Sequence, residues 1–406
     1  MFKFKELLEA NMDELAALLS SEHGKVIADS KGDVQRGLEV IEFACGIPHL
    51  LKGEYTEGAG PGIDIYAMRQ PLGVVAGITP FNFPAMIPMW MFGIAIACGN
   101  AFILKPSEKD PSVPVRLAEL MMEAGAPEGL LNVVHGDKEA VDAILAHDDI
   151  KAVSFVGSSD IAHYVYQTGT ANSKRVQAMG GAKNHGIIMP DADMDQVIAD
   201  FSGSAYGSAG ERCMALPVAV PVGKDTADEF VGRMQEEVGK LTVGISTDPE
   251  AHYGPVVSAA HRQKIEDYIE MGVKEGADLL VDGRGLSLQG NEGGFFIGPS
   301  LFDNVKADMQ SYQEEIFGPV LQGCAPTALK KQRACRLSIN MAMAWRFLPA
   351  MVWRPGNLHK RSMSAWSALM SRYPCRSPIT HLAAGNAQPL ATPISTGRKA
   401  LSFTPK

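Results

Sequence analysis

The chain has 406 residues, of which 46% are hydrophobic and 20% are charged, a composition typical of a soluble globular protein long enough for two domains. Its 41 glycines and 25 prolines follow no period, which excludes collagen-like and low-complexity chains. All 46 Asp and Glu residues precede Gln322, whereas the residues after it contain 13 Lys and Arg, so the net charge of −9 hides a compositional boundary near Gln322.

The N-terminal segment lacks the features of a signal peptide. Charged residues recur every few positions, and no apolar core or cleavage site is present. The most apolar run, residues 86–98, is shorter than the roughly 20 residues that span a bilayer, so we expect a buried core helix there. The sequence therefore predicts a cytoplasmic protein that does not insert into a membrane.

Helices and strands alternate along the predicted chain. The hydrophobic spacing predicts two opening helices, over 4–22 and, after the Lys31-Gly32 break, over 33–44. The next elements are predicted in this order: strand 72–78, helix 86–98, strand 101–105, helix 113–124, strand 130–136, helix 141–146 and strand 152–159. This βαβ alternation predicts a doubly wound parallel α/β sheet.

Three of these strands end in segments that contain polar residues or glycine, at 79–82, 105–108 and 157–159. Because ligands bind at the carboxyl ends of parallel strands, we expect the three segments to line one crevice. A second alternating set begins at His185 and continues through a helix over 226–241. It predicts a second domain.

Cys213 is the candidate nucleophile. It follows Gly203, Gly207 and Gly210, which predict a flexible backbone that other groups can approach closely, not a regular strand. A reactive thiol is compatible with such a position. A single cysteine is more often a small buried hydrophobic residue, which is the alternative here. No Cys-x-x-Cys pair occurs in the chain, so we predict neither a metal site nor a disulfide framework.

Five ordered motifs resemble those of the aldehyde dehydrogenase superfamily. They are PFNFP (80–84), KPSE (105–108), FVGS (155–158), the glycine-preceded Cys213 and EEIFGPV (314–320). The segments 22–46 and 176–185 and the string GERCMA are similar to its CoA-acylating methylmalonate-semialdehyde dehydrogenase branch. The resemblance covers residues 1–322. It implies an aldehyde dehydrogenase-like α/β fold, with an incomplete NAD-binding domain over 1–183 and an incomplete catalytic domain over 184–322.

The resemblance implies a mechanism. Cys213 would attack the aldehyde carbon, Asn82 and the Cys213 N–H would stabilise the oxyanion, and hydride transfer to NAD would leave a thioester. Hydrolytic relatives carry a Glu at the position of Met179, and methionine cannot accept a proton. This favours acyl transfer to coenzyme A, so that methylmalonate or malonate semialdehyde would yield propionyl-CoA or acetyl-CoA and CO2. In the alternative, Met179 fills core volume and another group activates water.

The resemblance also implies an NAD site. Lys105 and Glu108 match residues that hold the adenosine ribose, Ser158 would meet the pyrophosphate, and Glu315 and Phe317 bracket the nicotinamide ribose and ring. A plain helix cap is the alternative for Ser158. The full set of cofactor positions is Thr79, Phe81, Lys105, Glu108, Lys109, Ser158, Gly180, Glu315 and Phe317.

Two arginines match positions that the branch uses for the substrate carboxylate. They are Arg36 and Arg212, and a pair of guanidinium groups would select acid semialdehydes over plain aldehydes. A solvated surface charge is the alternative for Arg36.

The tail, residues 323–406, departs from the family. Shifting the frame of a DNA sequence that can encode residues 341–352 and 377–406 restores strings similar to the family's C-terminal region, so we predict an out-of-frame tail. Family members also carry a segment before the position of Met1. We therefore expect a chain truncated at the N-terminus and altered at the C-terminus, with a homo-oligomer expected of the intact form.

Two other functions stay open at this stage. The chain could be an inactive truncated remnant, or a non-catalytic protein whose basic tail binds nucleic acid. The tail contains no Asp or Glu and three of the four tryptophans of the chain. This composition differs from the compact stripe of basic residues expected on a nucleic acid-binding surface, so nucleic acid binding is not favoured.

Overall fold

The computed structural model describes residues 1–324 and the backbone of 397–405, and the chain divides into two compact units. The first contains Met1–Glu22, Ser30–Gly180 and the described C-terminal strand, whereas the second contains His23–Asp29 and residues 181–324. The domain boundaries at residues 183 and 322 stay predictions.

The first unit confirms the predicted alternation of strands and helices between residues 72 and 159. The helices that begin before residue 180 are α1 (Phe2–Ala10), α2 (Met12–His23), α3 (Ile27–Cys45), α4 (Ile47–Leu50), α5 (Met86–Ala97), α6 (Ser112–Glu123), α7 (Lys138–Ala146) and α8 (Ser159–Ala171). The strands are β1 (Glu54–Gly60), β2 (Ile63–Gln70), β3 (Val74–Ile78), β4 (Ala101–Lys105), β5 (Leu131–Val133), β6 (Ile150–Val156) and β7 (Arg175–Met179).

The central sheet of this unit is parallel and doubly wound. Its strand order is β5-β4-β3-β6-β7, so the chain moves outward from β3 to β5 and then returns to the other side of β3. Ile78 of β3 pairs with Lys105 of β4 and with Phe155 of β6. The segments 79–82, 105–108 and 157–159 therefore start from one edge of the sheet, beside the point where the strand order reverses.

The apolar run at residues 86–98 forms the buried helix α5. Phe92 is fully buried, and its ring centroid lies 5.9 Å from that of Phe4 and 6.4 Å from that of Phe102. Burial on all sides explains why this helix has no polar face. No helix among the described residues is long and apolar enough to cross a membrane.

The two helices predicted at the start of the chain differ from the structure. The single helix expected over 4–22 is wrong, because α1 ends at Ala10 and α2 begins at Met12. Asn11 between them has φ −107° and ψ 18°, outside the helical range, and its side-chain amide donates to the Leu7 carbonyl at 2.7 Å. Helix α3 begins at Ile27, so Lys31-Gly32 does not break it. Glycine in a helix costs about 1 kcal/mol relative to alanine, and the buried side chains of Val34 and Leu38 outweigh that cost.

The second unit contains the predicted second set of alternating elements. They are β8 (His185–Ile188), α9 (Met194–Tyr206), β9 (Val218–Pro221), α10 (Lys224–Val238), α11 (Ala259–Lys274), β10 (Asp278–Val281), β11 (Ser300–Val305), α12 (Gln310–Gln313) and β12 (Val320–Cys324). The sheet order is β10-β11-β12-β9-β8, with only the pair of β10 and β11 antiparallel among these strands. Helix α10 ends at Val238, before the predicted residue 241, and the chain continues through i to i+3 hydrogen bonds from Lys240 to Glu237 and from Leu241 to Val238.

A third sheet has the order β1-β2-β13 and uses β13 (Gly397–Pro405), a strand that the sequence did not predict. Strand β13 runs antiparallel to β2, with Gly397 opposite Gln70 and Pro405 opposite Ile63. The remainder of the predicted out-of-frame tail, residues 325–396 and Lys406, lies outside the described residues.

Candidate active site

The turn that leads to Cys213 has an unusual backbone. Helix α9 ends at Tyr206, and Ser208, Ala209 and Gly210 follow with φ values of +50°, +53° and +71°. Left-handed conformations are unfavourable for residues with a side chain, so neighbouring contacts must hold Ser208 and Ala209 in place. The glycine-rich chain before Cys213 is therefore a constrained turn.

A backbone contact joins this turn to the EEIFGPV motif. A Cβ atom built on Gly210 would lie 2.2 Å from the carbonyl oxygen of Gly318. Only glycine permits this approach, because its Cα carries no side chain. The contact brings two of the sequence motifs together within the second unit.

Cys213 is half-buried, and Asn184 holds the loop that carries it. The Asn184 amide donates to the carbonyl oxygens of Cys213 and Ala215, each at 2.9 Å. Burial raises the pKa of the Cys213 thiol to about 11, and the negative charge of Glu315 adds to that rise, whereas the Arg212 charge opposes it. The thiol is therefore neutral near pH 7 in the free protein. Asn184 escaped the sequence analysis because nothing in its local pattern indicates a contact with Cys213.

The buried Lys183 fixes the segment before Glu315. Its ammonium group donates to the carbonyl oxygens of Ser311 and Glu314, each at 2.8 Å. Burial lowers the pKa of Lys183 to about 7, against the opposing charge of Glu315. The Ala182 N–H donates to the Glu315 carboxylate at 3.2 Å, while burial raises the pKa of that carboxyl group.

The charge of Glu315 acts directly on the thiol, which gives a test. In Glu315→Gln, the pKa of Cys213 should fall, because a neutral amide no longer disfavours the thiolate. Alkylation of Cys213 by iodoacetamide at pH 8, followed by peptide mass spectrometry, should then be faster by up to about tenfold. Glu314→Gln is the matched control, since the exposed Glu314 carboxylate bonds to Tyr268 and Gln310 instead. Equal rates in all three proteins would contradict the electrostatic assignment.

Polar side chains cluster at the predicted edge of the first sheet. The buried Lys105 ammonium lies 3.4 Å from the Glu108 carboxylate, and the Lys109 ammonium lies 4.7 Å from the centroid of the Phe81 ring. Thr79 follows β3, and its N–H donates to the Lys105 carbonyl at 3.1 Å. The buried Thr79 hydroxyl has no hydrogen-bond partner among the described residues, so it is available to a ligand.

Other predicted positions lie at the same strand ends. Asn82 is buried in the turn after β3. Ser158 occupies the N-cap position of α8, but its side chain makes no capping hydrogen bond, which leaves little support for the plain-cap alternative. A Cβ atom on Gly180 would lie 3.0 Å from Ser159, so the chain after β7 passes close to the start of α8. Met179 is half-buried at the end of β7.

Neither candidate substrate arginine is an isolated cation. The Arg36 guanidinium donates to the Glu39 carboxylate at 2.8 Å and 3.1 Å. In the second unit, Arg212 donates to Asp29 at 2.8 Å. The sequence analysis did not identify Asp29, because 183 residues separate it from its partner.

A buried carboxylate precedes Arg212. Glu211 is fully buried and accepts the Val257 N–H at 3.2 Å, while Nε2 atoms of His261 and His23 lie 3.5 Å and 3.8 Å from its oxygens. His261 Nε2 also hydrogen-bonds to the Phe317 carbonyl at 2.7 Å, where φ is +61°. Sequence reasoning missed this cluster, which links the nucleophile turn to the EEIFGPV motif a second time.

Comparison of the chain with known proteins identifies its family. A model described as "Aldehyde dehydrogenase family" matches residues 1–325. The chain belongs to the aldehyde dehydrogenase family. Its aldehyde dehydrogenase-like α/β fold, expected from the five motifs, is confirmed.

Several individual family members are similar to this chain. A malonate-semialdehyde dehydrogenase of Pseudomonas aeruginosa is 55% identical over 321 residues, which are 79% of this chain and 65% of that protein. An acylating mitochondrial methylmalonate-semialdehyde dehydrogenase of Arabidopsis thaliana is 50% identical over 321 residues, 79% of this chain and 53% of that protein. The chain thus spans about two thirds or less of these relatives.

A solved aldehyde dehydrogenase structure agrees with this result. It is assigned as a methylmalonate-semialdehyde dehydrogenase of Sinorhizobium meliloti complexed with NAD, and it is 55% identical with a TM-score of 0.83. The alignment covers 91% of this chain and 73% of that one. A methylmalonate-semialdehyde dehydrogenase of Oceanimonas doudoroffii is 54% identical with a TM-score of 0.82, over 84% of this chain and 70% of that one.

Proposed function

We propose that this chain acts in the NAD-dependent, CoA-acylating oxidation of methylmalonate or malonate semialdehyde, with propionyl-CoA or acetyl-CoA and CO2 as products. The observation that carries the proposal is Cys213 on a constrained turn, within a chain that is 55% identical to a malonate-semialdehyde dehydrogenase. The chain spans 65% of the length of that relative, so whether this chain has the relative's activity must be measured directly.

Cys213 is proposed as the nucleophile that forms the acyl thioester. The hydrogen bonds from Asn184 to the Cys213 and Ala215 carbonyls fix the backbone that follows the thiol-bearing Cα. The Cys213 N–H and the Asn82 amide are proposed to stabilise the oxyanion that forms when the thiolate attacks the aldehyde carbon. Attack requires the thiolate, and burial raises the pKa of Cys213, so the thiol must lose its proton before it attacks the aldehyde carbon.

The strand-end residues of the first unit suit a dinucleotide. Thr79 offers a buried hydroxyl without a partner in the described part of the chain, and Lys105 offers a buried ammonium group at the same edge. The other positions that the resemblance implies for the cofactor are Phe81, Glu108, Lys109, Ser158, Gly180, Glu315 and Phe317, and we include them in the proposal. When bound, NAD supplies the hydride acceptor.

The side chain at position 179 bears on which nucleophile resolves the thioester. Met179 offers no proton acceptor where hydrolytic relatives carry a carboxylate, so water is not activated from that position. Coenzyme A carries its own thiol and needs less assistance from the protein. This supports acyl transfer to CoA over hydrolysis to a free acid.

A product assay tests the proposal. The full chain is incubated with NAD and malonate semialdehyde, with and without CoA, while NADH is followed by absorbance and products are identified by mass spectrometry. We expect NADH formation that depends on CoA, with acetyl-CoA as product. Free acid at an equal rate without CoA would refute the acylating reaction, and no NADH under any condition would favour the inactive-remnant alternative.

A further inference from the structure

We propose that Asp29 and Gly207 are positioning residues that hold the guanidinium group of Arg212 as the recognition element for the substrate carboxylate. The inference rests on the proposed function, because it concerns the acid group of the semialdehyde. It assigns a role to Asp29, which no sequence motif singled out, and a specific contact to Gly207, one of the glycines that precede Cys213.

Three contacts fix the plane of the Arg212 guanidinium. Its Nη2 donates to Asp29 Oδ1 at 2.8 Å, and its Nη1 donates to the Gly203 carbonyl at 3.2 Å. The group also lies against the bare Cα of Gly207, since a Cβ atom there would be 2.6 Å from Nη1 and 2.8 Å from Cζ. A guanidinium has five N–H donors, so these contacts leave donors for an anion.

Asp29 holds the nucleophile turn with the same carboxylate. Its Oδ2 accepts the Ser208 N–H at 3.0 Å and the Ser208 hydroxyl at 2.8 Å, while Oδ1 faces Arg212. Ser208 is one of the residues with positive φ, so Asp29 stabilises an otherwise unfavourable backbone. One carboxylate therefore fixes both the turn and the cation beside Cys213.

The position of Arg212 suits recognition of an acid group near the thiol. Arg212 immediately precedes Cys213 in the chain. The positive charge of Arg212 lowers the pKa of the Cys213 thiol, so the electrostatic field of the guanidinium acts at the reacting sulfur atom. Asp29 is ion-paired with one end of the guanidinium, so binding of an acid group depends on the direction in which the remaining N–H donors point. An oriented guanidinium binds a carboxylate through two parallel hydrogen bonds, whereas a displaced one does not.

Gly207→Ala separates this role from general stability. The Gly207 backbone, at φ −55° and ψ 139°, accepts alanine, and the clashing atoms are the end of a flexible side chain that can move away. The variant should therefore fold but displace the guanidinium. Gly232→Ala is the matched control, because its Cβ would meet no atom within 4 Å.

Asp29→Asn gives an independent second variant. Asparagine keeps one oxygen, which can still accept from Ser208, but its amide group cannot form the ion pair with Arg212. Asp195→Asn is the matched control, since it removes the carboxylate of another Asp–Arg pair of the same unit, with Arg233 on the surface.

The main measurement does not need turnover. Malonate at increasing concentration should slow alkylation of Cys213 by iodoacetamide, with peptide mass spectrometry as the readout. We expect half-protection to require about tenfold more malonate in Gly207→Ala and Asp29→Asn, because one charge-assisted contact is lost. Both controls should match the wild type. Equal protection in all five proteins, or no protection of the wild type, would overturn the inference.

A kinetic arm distinguishes this outcome from failure of the proposed function. For an active chain, the KM for malonate semialdehyde should rise about tenfold in both variants relative to the KM for propanal, which lacks the carboxylate. A parallel rise for both aldehydes would mean a structural role only. A wild type that forms no NADH but shows malonate protection would refute the proposed function and leave the carboxylate site supported.

Discussion

Cys213→Ser should abolish NADH formation from malonate semialdehyde, with a loss of at least about a thousandfold. Serine has the size of cysteine, but its hydroxyl is far less acidic and is not activated by any base bonded to it in the described chain. The Asn184 hydrogen bonds go to backbone carbonyls and survive the substitution, so the loop should keep its conformation. Initial rates at saturating NAD and CoA provide the measurement.

Cys45→Ser is the control for this substitution. Cys45 is also half-buried, and its thiol donates to the Ile41 carbonyl within α3, a hydrogen bond that serine can replace. This variant should keep the wild-type rate. If Cys213→Ser retained NADH formation, Cys213 would not be the nucleophile.

Gly210→Ala should strongly destabilise the second unit. The added methyl group would lie 2.2 Å from the Gly318 carbonyl oxygen, and the backbone at Gly210 has a φ of +71° that alanine strongly disfavours. The clashing atoms belong to the backbone of Gly318, which cannot move away as easily as the end of a flexible side chain. We expect a loss of about 3 kcal/mol or more in the free energy of unfolding. Thermal unfolding and the yield of folded protein measure this.

Gly232→Ala in α10 is the control, because the new methyl group meets no atom within 4 Å. Alanine is favoured over glycine in a helix by about 1 kcal/mol, so this variant should melt at the wild-type temperature or above. If Gly210→Ala also melted at the wild-type temperature, the close contact between the two motifs would be incorrect.

The parallel sheet of the first unit was predictable because its signal is local. Short apolar runs such as those at β3 and β4 alternate with helical patterns, which is typical of parallel βαβ units. The start of α3 was not predictable in this way. Gly32 is a helix-breaking signal, but burial of the side chains around it, which depends on the folded protein, outweighs its cost.

Some residues of the candidate site could be predicted from local sequence motifs, and others could not. Cys213 and the EEIFGPV motif stand out in the sequence, as family motifs do. Asp29, Asn184 and Lys183 act through contacts with residues that are distant along the chain, and Lys183 reaches Glu314 across 131 positions. No periodicity encodes such a pair. Only the folded backbone identifies these partners.

The second unit is not a contiguous stretch of chain, and this affects its synthesis. Residues 23–29 belong to it, yet Asp29 is made 179 residues before Ser208 and 183 before Arg212. During translation, residues 23–29 cannot form their contacts with the rest of the second unit until most of the first unit has emerged from the ribosome. A fragment that began at residue 181 would lack Asp29, so its nucleophile turn would lose the carboxylate that holds Ser208. The unit cannot be excised by a single cut.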